Sequence, residues 1–424
     1  MLDISYIREN PKAVKENSNN RGCLVDIDNF LELDKKRGKL IREVDELRNK
    51  KNQFKGKPTE IELKSLLQNK EREDELSKKI SIIEEEYFEL LMQIPNQTHP
   101  KVHVSQDEDD NPILENQYKP TAFSFEPKDH VSLAEDLDLI DFERATKVVG
   151  GKFFYLKNEA ALLELALIQY AFQVAIRHGF TPFITPDLAK KEVLDSMGYS
   201  PRGESTQVYN IEKTDLSLIG TAEIAMGGYH KNEIFTEEEL PKKYVALSHC
   251  FRTEAGSYSK FSKGIFRVHQ FTKVEMFIYT TPDKAELAHQ EILGIEQEIF
   301  DGLEVPYRVI DHCTADLGAP SYRTFDLEAW MPGKPNKNGS MGDWAEITST
   351  SNCTDYQARA LNIKYMNKEG SKKLVFMLNG TAVAMTRAII AILENNQQED
   401  GTIAIPRVLQ PFIGKKKIER KEKL

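Results

Sequence analysis

Cysteine is scarce in this chain, with four residues in 424. Cys23, Cys250, Cys313 and Cys353 lie far apart and form no CxxC pair, which excludes a disulfide framework and a cysteine-based zinc site and points to a reducing compartment. Positive charge is also in deficit. Lys and Arg number 57 against 67 Asp and Glu, a net charge of -10, so any contact with nucleic acid must use a local patch and not the bulk charge. No uninterrupted apolar run reaches the roughly eighteen residues of a membrane span. The opening MLDISYIREN carries Asp3 and lacks an apolar signal segment or an Arg-rich presequence, so a cytoplasmic protein with no membrane association is expected. The length accommodates two or three domains.

Residues 1–25 read as a short helical segment broken near Asn19, Asn20 and Gly22. A heptad seam follows through Phe30, Leu33, Leu40, Val44, Leu47 and Phe54, with Arg37 and Lys51 filling two of its steps. Gly56 to Thr59, with Pro58, interrupt it. A second seam runs through Leu76, Ile80, Ile83, Tyr87, Leu90 and Ile94 and stops at Pro95. Two such helices joined by a short turn predict an antiparallel hairpin. The first helix is basic and the second acidic. Two readings stay open: a pair bridged by its own salt links, or a stalk whose basic edge lies along an RNA backbone. Residues 95–125 are proline-rich, acidic and aperiodic, which predicts a linker.

Residues 244–279, YVALSHCFRTEAGSYSKFSKGIFRVHQFTKVEMFIY, read as a long β-hairpin around a Gly/Ser/Lys loop. Side chains alternate across a strand. Phe266, Val268, Val274, Met276 and Ile278 share one parity, a core face; Arg267, His269, Phe271, Lys273 and Glu275 share the other. Arg252 and Glu254 share a parity in the first run. The spacing puts both arginines at strand centres, where planar forks can clamp a phosphate, and leaves Phe271 on a polar face where water does not favour it.

Three further stretches stand out. LSLIGTAEIAMGGYH, 216–230, predicts a helix capped by Thr221 with Glu223 in its first turn. DLGAPSYRTFDLEAWMPG, 316–333, and AEITSTSNCTDYQARALNIKY, 345–365, predict a strand, a wide loop and a strand. KLVFMLNGTAVAMTRAIIAILEN, 373–395, predicts a strand entering at Leu374 and a helix leaving after Gly380. That helix is apolar all round yet contains Arg387, which requires a partner, either a carboxylate or a phosphate.

FRTEAGS, a loop and then GIFRVHQFTKVEMF resemble motif 2 of a class II aminoacyl-tRNA synthetase, and HQFTKVEMF is similar to the seryl-tRNA synthetase family in particular. The apolar helix at 158–178, followed by FTPFITPDL with Pro186, resembles motif 1, and 373–395 resembles motif 3. The resemblance covers nearly the whole chain. It implies an α+β fold, the class II antiparallel sheet flanked by helices with an N-terminal antiparallel coiled-coil arm. The domains expected are an arm over 1–105, with the coiled coil at about 27–95, and a catalytic domain over 106–424.

The resemblance also implies the chemistry. L-serine is activated with ATP to seryl-adenylate, and the seryl group is passed to tRNA(Ser). Arg252 clamps the α-phosphate and the attacking carboxylate; Arg267 and Arg387 hold the outer phosphates; Glu254 faces the adenine amino group and Phe271 stacks on the ring. Thr253, Val268, Ile347 and Thr348 complete the ATP site, and Glu346 and Ser349 hold Mg²⁺. Thr221, Ala222, Glu223, Glu275, Asn379 and Thr381 form the serine pocket, with Arg252, Arg387 and Glu275 the catalytic set. The arm and the motif 2 loop meet tRNA, and motif 1 makes a homodimer. The chain departs from the family at a somewhat shortened arm tip, at PNKNGSMGDW, and at Lys260 and Lys263, where the family's loop carries arginines. Two rivals use the same residues. An inactive relative that only binds RNA or a partner is opposed by both motif arginines and Glu275, and a relative that loads a carrier protein by the intact heptad hairpin.

Overall fold

A computed structural model describes residues 1–53, 59–115, 118–199, 207–255 and 261–420. The hairpin tip, Lys260 and the last four residues of the basic tail lie outside them. The chain divides into two compact units, Met1–Gln97 and Thr98–Leu424.

In the first unit, α1 (Ile4–Glu9) is capped by Asp3, whose side chain accepts from the Ser5 N–H at 2.7 Å, and α2 (Pro11–Asn20) opens on a proline that needs no N–H partner. The two long helices are α3 (Ile27–Gln53) and α4 (Glu60–Gln93). Thr59 and Glu62 make a reciprocal capping box at the start of α4. Phe30 stacks on Tyr87 with ring centroids 5.1 Å apart. Arg37 meets Glu84 at 2.8 Å and Arg48 meets Glu73 at 2.7 Å. Partner numbers fall as residue numbers rise, so the pair is antiparallel and in the register of the two seams. Salt links thus satisfy part of the charge, while Lys35, Lys39 and Arg42 remain exposed on α3.

The second unit is built on eight strands: β1 (Ile113–Glu115), β2 (Thr181–Ile184), β3 (Lys242–Phe251), β4 (Gln270–Thr280), β5 (Tyr307–Asp311), β6 (Arg323–Pro335), β7 (Met341–Asn352) and β8 (Phe376–Ala384). Their spatial order is β1-β5-β6-β7-β8-β4-β3-β2, antiparallel throughout except for the β2–β3 pair. The helices that matter for the site are α5 (His130–Asp136), α6 (Asn158–Arg177), α7 (Ala222–Gly228), α8 (Ala285–Gly302) and α9 (Met385–Asn395). Helices α5, α6, α8 and α9 bury one face of the sheet in a core that includes Leu163, Leu167, Val274, Met276, Ile292, Leu378 and Ile389, while Ala222 and Met226 of α7 pack in a second core with Phe277, Tyr279 and Met377. Helix α6 is long and apolar enough by length and composition to cross a membrane, but Ala160, Leu163, Leu167 and Val174 are buried in this core.

Several sequence expectations change. The aperiodic stretch 95–125 contributes the edge strand β1, paired to β5. The long hairpin has shorter strands than its alternation implied: β3 ends at Phe251 and β4 begins at Gln270. Arg252 and Arg267 therefore flank the strands and are not at their centres. Gly264, with φ +59, turns the chain before β4. Strand β4 is buried on both faces, since Lys273, Glu275, Phe277 and Tyr279 are covered as well as Val274, Met276 and Ile278. The wide loop within 316–365 is a tight hairpin turn over 336–340, closed by the Ser340 carbonyl accepting from Asn336 N–H at 2.8 Å. Strand β8 continues through Gly380 to Ala384, so the helix carrying Arg387 starts at Met385.

Candidate functional site

The sheet order lays the polar side chains out in sequence across one surface. Glu346 and Ser349 come from β7, Asn379 and Thr381 from β8, Lys273 and Glu275 from β4, and Arg252 follows the end of β3. They line one cavity of about 370 Å³, together with Glu223, Glu254, Arg267, Val268, Phe271, Ile347, Thr348 and Arg387. Thr221, Ala222 and Thr253 do not line it. Thr221 is turned inward as the cap of α7, accepting from the Glu223 N–H at 3.2 Å, Ala222 is fully buried in the same turn, and the Thr253 N–H donates to the Gln207 carbonyl. The first two stand behind Glu223 and fix its direction.

The arginines have protein partners. Arg387 Nη1 lies 3.0 Å from Glu346 Oε2 and donates to the Glu346 carbonyl at 2.9 Å; its guanidinium also sits 5.1 Å from the Phe266 ring centroid. The partner that the apolar helix demanded is thus a carboxylate. Burial pushes the Glu346 carboxyl up, but Arg387, supported by Arg252 and His312, outweighs it and holds the group at about 2. Arg267 pairs with Glu254 at 3.5 Å, while its Nε is buried with no hydrogen-bond partner among the described residues. Arg252 donates to the Gly220 carbonyl at 3.2 Å and lies 5.3 Å from the Phe271 ring centroid. Phe271 therefore occupies the polar face beneath a cation, which accounts for a position that water disfavours.

Two further carboxylates, Glu223 and Glu275, line the cavity. Glu223 accepts from the Tyr199 hydroxyl at 2.6 Å and from Gln357 Nε2 at 2.8 Å. Burial pushes the Glu223 carboxyl up, reinforced by the charge of Glu275 and opposed by the two donated bonds. Burial also lifts the Tyr199 phenol well above its ordinary value, so it stays a donor. Glu275 accepts from Thr381 Oγ1 at 3.1 Å and meets Lys273 Nζ at 2.5 Å. Tyr199, Lys273 and Gln357 were not singled out by the sequence. Lys273 carried a signal, since it shares the polar parity of Glu275 two residues away. Tyr199 and Gln357 carried none, because they reach Glu223 from distant segments.

Hard oxygen donors face the cavity from β7. The ionised Glu346 and the Ser349 hydroxyl, three residues apart on one strand edge, suit a small divalent cation that keeps several waters and shares phosphate oxygens. Among the described residues there is no cluster of three or more His, Cys, Asp or Glu of the kind that cages a metal with protein alone.

Comparison with known proteins agrees with this geometry over the whole chain. Residues 1–98 match the model of the seryl-tRNA synthetase N-terminal domain, and 207–396 match the tRNA synthetase class II core domain (G, H, P, S and T). The serine–tRNA ligase of Treponema denticola is 50% identical over 422 residues, covering 98% of this chain and 99% of the relative. That of Dictyoglomus turgidum is 49% identical over 432 residues, with 100% of each covered. The crystal structure of seryl-tRNA synthetase from Pyrococcus horikoshii complexed with ATP superposes with a TM-score of 0.87 at 39% identity, covering 100% of both chains.

Proposed function

This chain belongs to the seryl-tRNA synthetase family, and from that premise we propose that it activates L-serine with ATP and transfers the seryl group to tRNA(Ser). One observation carries the reading: a single cavity gathers Arg252, Arg267 and Arg387 with the carboxylates Glu223 and Glu275. Three cations match the phosphates of ATP, and the carboxylates match an amino acid's ammonium and hydroxyl.

In the first step the serine carboxylate attacks the α-phosphorus, and the bond to pyrophosphate breaks. Arg252 holds the carboxylate and the α-phosphate together, which supplies proximity and offsets developing charge. Arg387 and Arg267 exchange their carboxylate partners, Glu346 and Glu254, for the outer phosphates. Glu254 is then available to the adenine amino group. Phe271 stacks on adenine, and Thr253, Val268, Ile347 and Thr348 shape the rest of the nucleotide site. Glu346 and Ser349 would hold Mg²⁺, which when bound neutralises phosphate charge. Glu223, backed by Thr221 and Ala222, takes the ammonium. Glu275 and Thr381, beside Asn379, take the hydroxyl. A pocket built around bonds to a substrate hydroxyl can reject the analogue lacking it by about 10⁴ or more. In the second step a terminal ribose hydroxyl of the tRNA attacks the acyl carbon and AMP leaves.

Residues 1–105 serve as the tRNA-binding arm and 106–424 as the catalytic domain. The exposed basic residues of α3 follow the RNA backbone, and the motif 2 loop meets the acceptor end. A homodimer forms through motif 1; the outward Leu165 of α6 and Ile184 of β2, 56% and 81% exposed, support that reading. The four free thiols agree with a cytoplasmic location.

The test is ATP–pyrophosphate exchange with serine, threonine and alanine, alongside tRNA(Ser) charging. Serine alone is expected to drive exchange. A folded chain without the unit Met1–Gln97 is expected to keep exchange and lose most charging. A protein that binds tRNA(Ser) but shows no serine-dependent exchange would be the inactive relative instead.

A further inference from the structure

Lys273 is a buried cation with no place in that scheme. It sits on β4 on the same face as Glu275, and its side chain is 8% exposed. Its Nζ lies 2.5 Å from Glu275 Oε2 and donates to Thr381 Oγ1 at 3.3 Å, while Thr381 Oγ1 donates to the same carboxylate oxygen at 3.1 Å. The register of β8 on β4 puts Thr381 directly opposite Glu275, and the ladder is irregular between Thr381 and Val383. Lysine, carboxylate and hydroxyl thus close a triangle across two strands at the cavity wall. Burying an ammonium and a carboxylate costs solvation that a well-packed apolar pair does not. The pair therefore calls for an explanation in terms of what Lys273 does to Glu275.

The substrate brings one ammonium into a cavity with two carboxylates. If both were equally available, the amino acid could dock with its ammonium on either one, in two different poses beside Arg252. The two carboxylates are not equivalent. Glu223 is held by neutral donors, the Tyr199 hydroxyl and the Gln357 amide. Glu275 is held by a cation. We infer that Lys273 is a positioning and specificity residue: by pairing with Glu275 it directs the substrate ammonium to Glu223 and reserves Glu275 as the acceptor of the substrate hydroxyl. The inference rests on the serine reading given above. Its consequence is that Lys273, without touching the reacting atoms, sets both the pose of the amino acid and the preference for serine over alanine.

The experiment measures exchange kinetics for serine and alanine with the full-length protein and with K273M, K273R and E275Q. K273M is expected to raise the serine KM by roughly ten- to a hundredfold, the scale of one buried polar partner lost. It should leave kcat within a few-fold and reduce serine-over-alanine preference by a similar factor. K273R, which restores the charge, should recover most of the preference. The double variant K273M/E275Q, free of an unpaired charge, should lose less than the product of its two single losses. Should K273M not fold, K273Q is measured against the same expectations. A wild-type serine KM and preference in the charge-removing variant would overturn the inference. So would a loss confined to kcat and equal for both amino acids. Wild-type protein with no serine-dependent exchange defeats the function reading itself; normal exchange with an indifferent Lys273 defeats only the role assigned to the lysine.

Discussion

Arg387 holds Glu346 at two points, its side-chain carboxylate at 3.0 Å and its main-chain carbonyl at 2.9 Å. The arginine comes from the first turn of α9, packed over the sheet, and the carboxylate from β7. Both contacts are made by one nitrogen, Nη1, whereas a phosphate would be met by the planar guanidinium fork as a whole. Lysine offers a point charge without that geometry. Arg387→Lys is therefore expected to lower serine-dependent exchange by about 10²–10³, the scale of one lost charge-stabilising donor. An R387K enzyme within a few-fold of wild type in kcat would show that the fork is not used.

Gly380 lies in mid-strand on β8, where a glycine weakens a sheet unless something approaches closely. A Cβ there would stand 2.2 Å from Ile292 Cγ2, 2.7 Å from Glu296 Oε1 and 2.9 Å from Thr350 Oγ1. The contact of α8 with the sheet therefore depends on the missing side chain. Gly380→Ala is expected to destabilise the catalytic unit by about 1–3 kcal/mol, the usual cost of overpacking. Urea unfolding of wild type and variant measures this; an unchanged midpoint would mean that α8 shifts freely.

How much of this was legible in the sequence depended on whether the signal was local. The seams through Phe30 and Tyr87 predicted the facing sides of the two helices, because a heptad repeat marks one stripe, while the stacking of these two rings came only with the structure. Arg387 announced a site because an arginine in an apolar helix demands a partner. Phe266 and Val268 alternated like strand residues and are indeed buried, but Gly264 turns the chain just before them, and periodicity cannot distinguish a buried loop from a strand. Tyr199 and Gln357 come together at Glu223 through tertiary packing alone, so no spacing betrayed them. Lys273 looked like one more residue on a solvated face because alternation reports parity and not burial.

His289 on α8 is fully buried, stacks on Phe325 with centroids 4.8 Å apart, and has Nε2 3.1 Å from the Thr350 carbonyl. Burial pushes its pKa down to about 4, opposed by the bond to Thr350. The unfolded chain takes up this proton near pH 6.5, whereas the folded chain resists it down to about 4, so the unfolded state binds more protons across that window. Stability is therefore lost as pH falls from about 6.5 to about 4, by up to about 3 kcal/mol from this group. His289→Gln keeps a donor for Thr350 and should flatten that part of the profile. Unfolding free energies at several pH values test it; parallel profiles for the two proteins would remove His289 from the acid response.

Lys263 belongs to the motif 2 loop proposed to meet tRNA, where a lysine would suit the phosphate backbone, and it has a protein partner. Its Nζ lies 2.5 Å from Asp129 Oδ2. The other Asp129 oxygen caps α5, accepting from the Val131 and Ser132 N–H groups at 2.9 and 3.0 Å. Burial raises the Asp129 carboxyl, and Lys263 with the capped amides more than reverses this, leaving it below its ordinary value. The lysine therefore anchors one end of the motif 2 loop, and it can serve tRNA by direct charge or by holding the loop. Lys263→Ala is expected to weaken charging modestly and leave serine activation close to normal. A direct phosphate contact also lowers the salt dependence of charging by about one counterion. Asp129→Asn separates the two roles, since it keeps an acceptor for the helix cap but releases the lysine. If charging and its salt dependence change in K263A and not in D129N, the lysine meets the phosphate backbone. If D129N reproduces K263A, the anchor is what matters. Equal damage to exchange and charging in K263A would assign the lysine to ATP and overturn the expected loop contact.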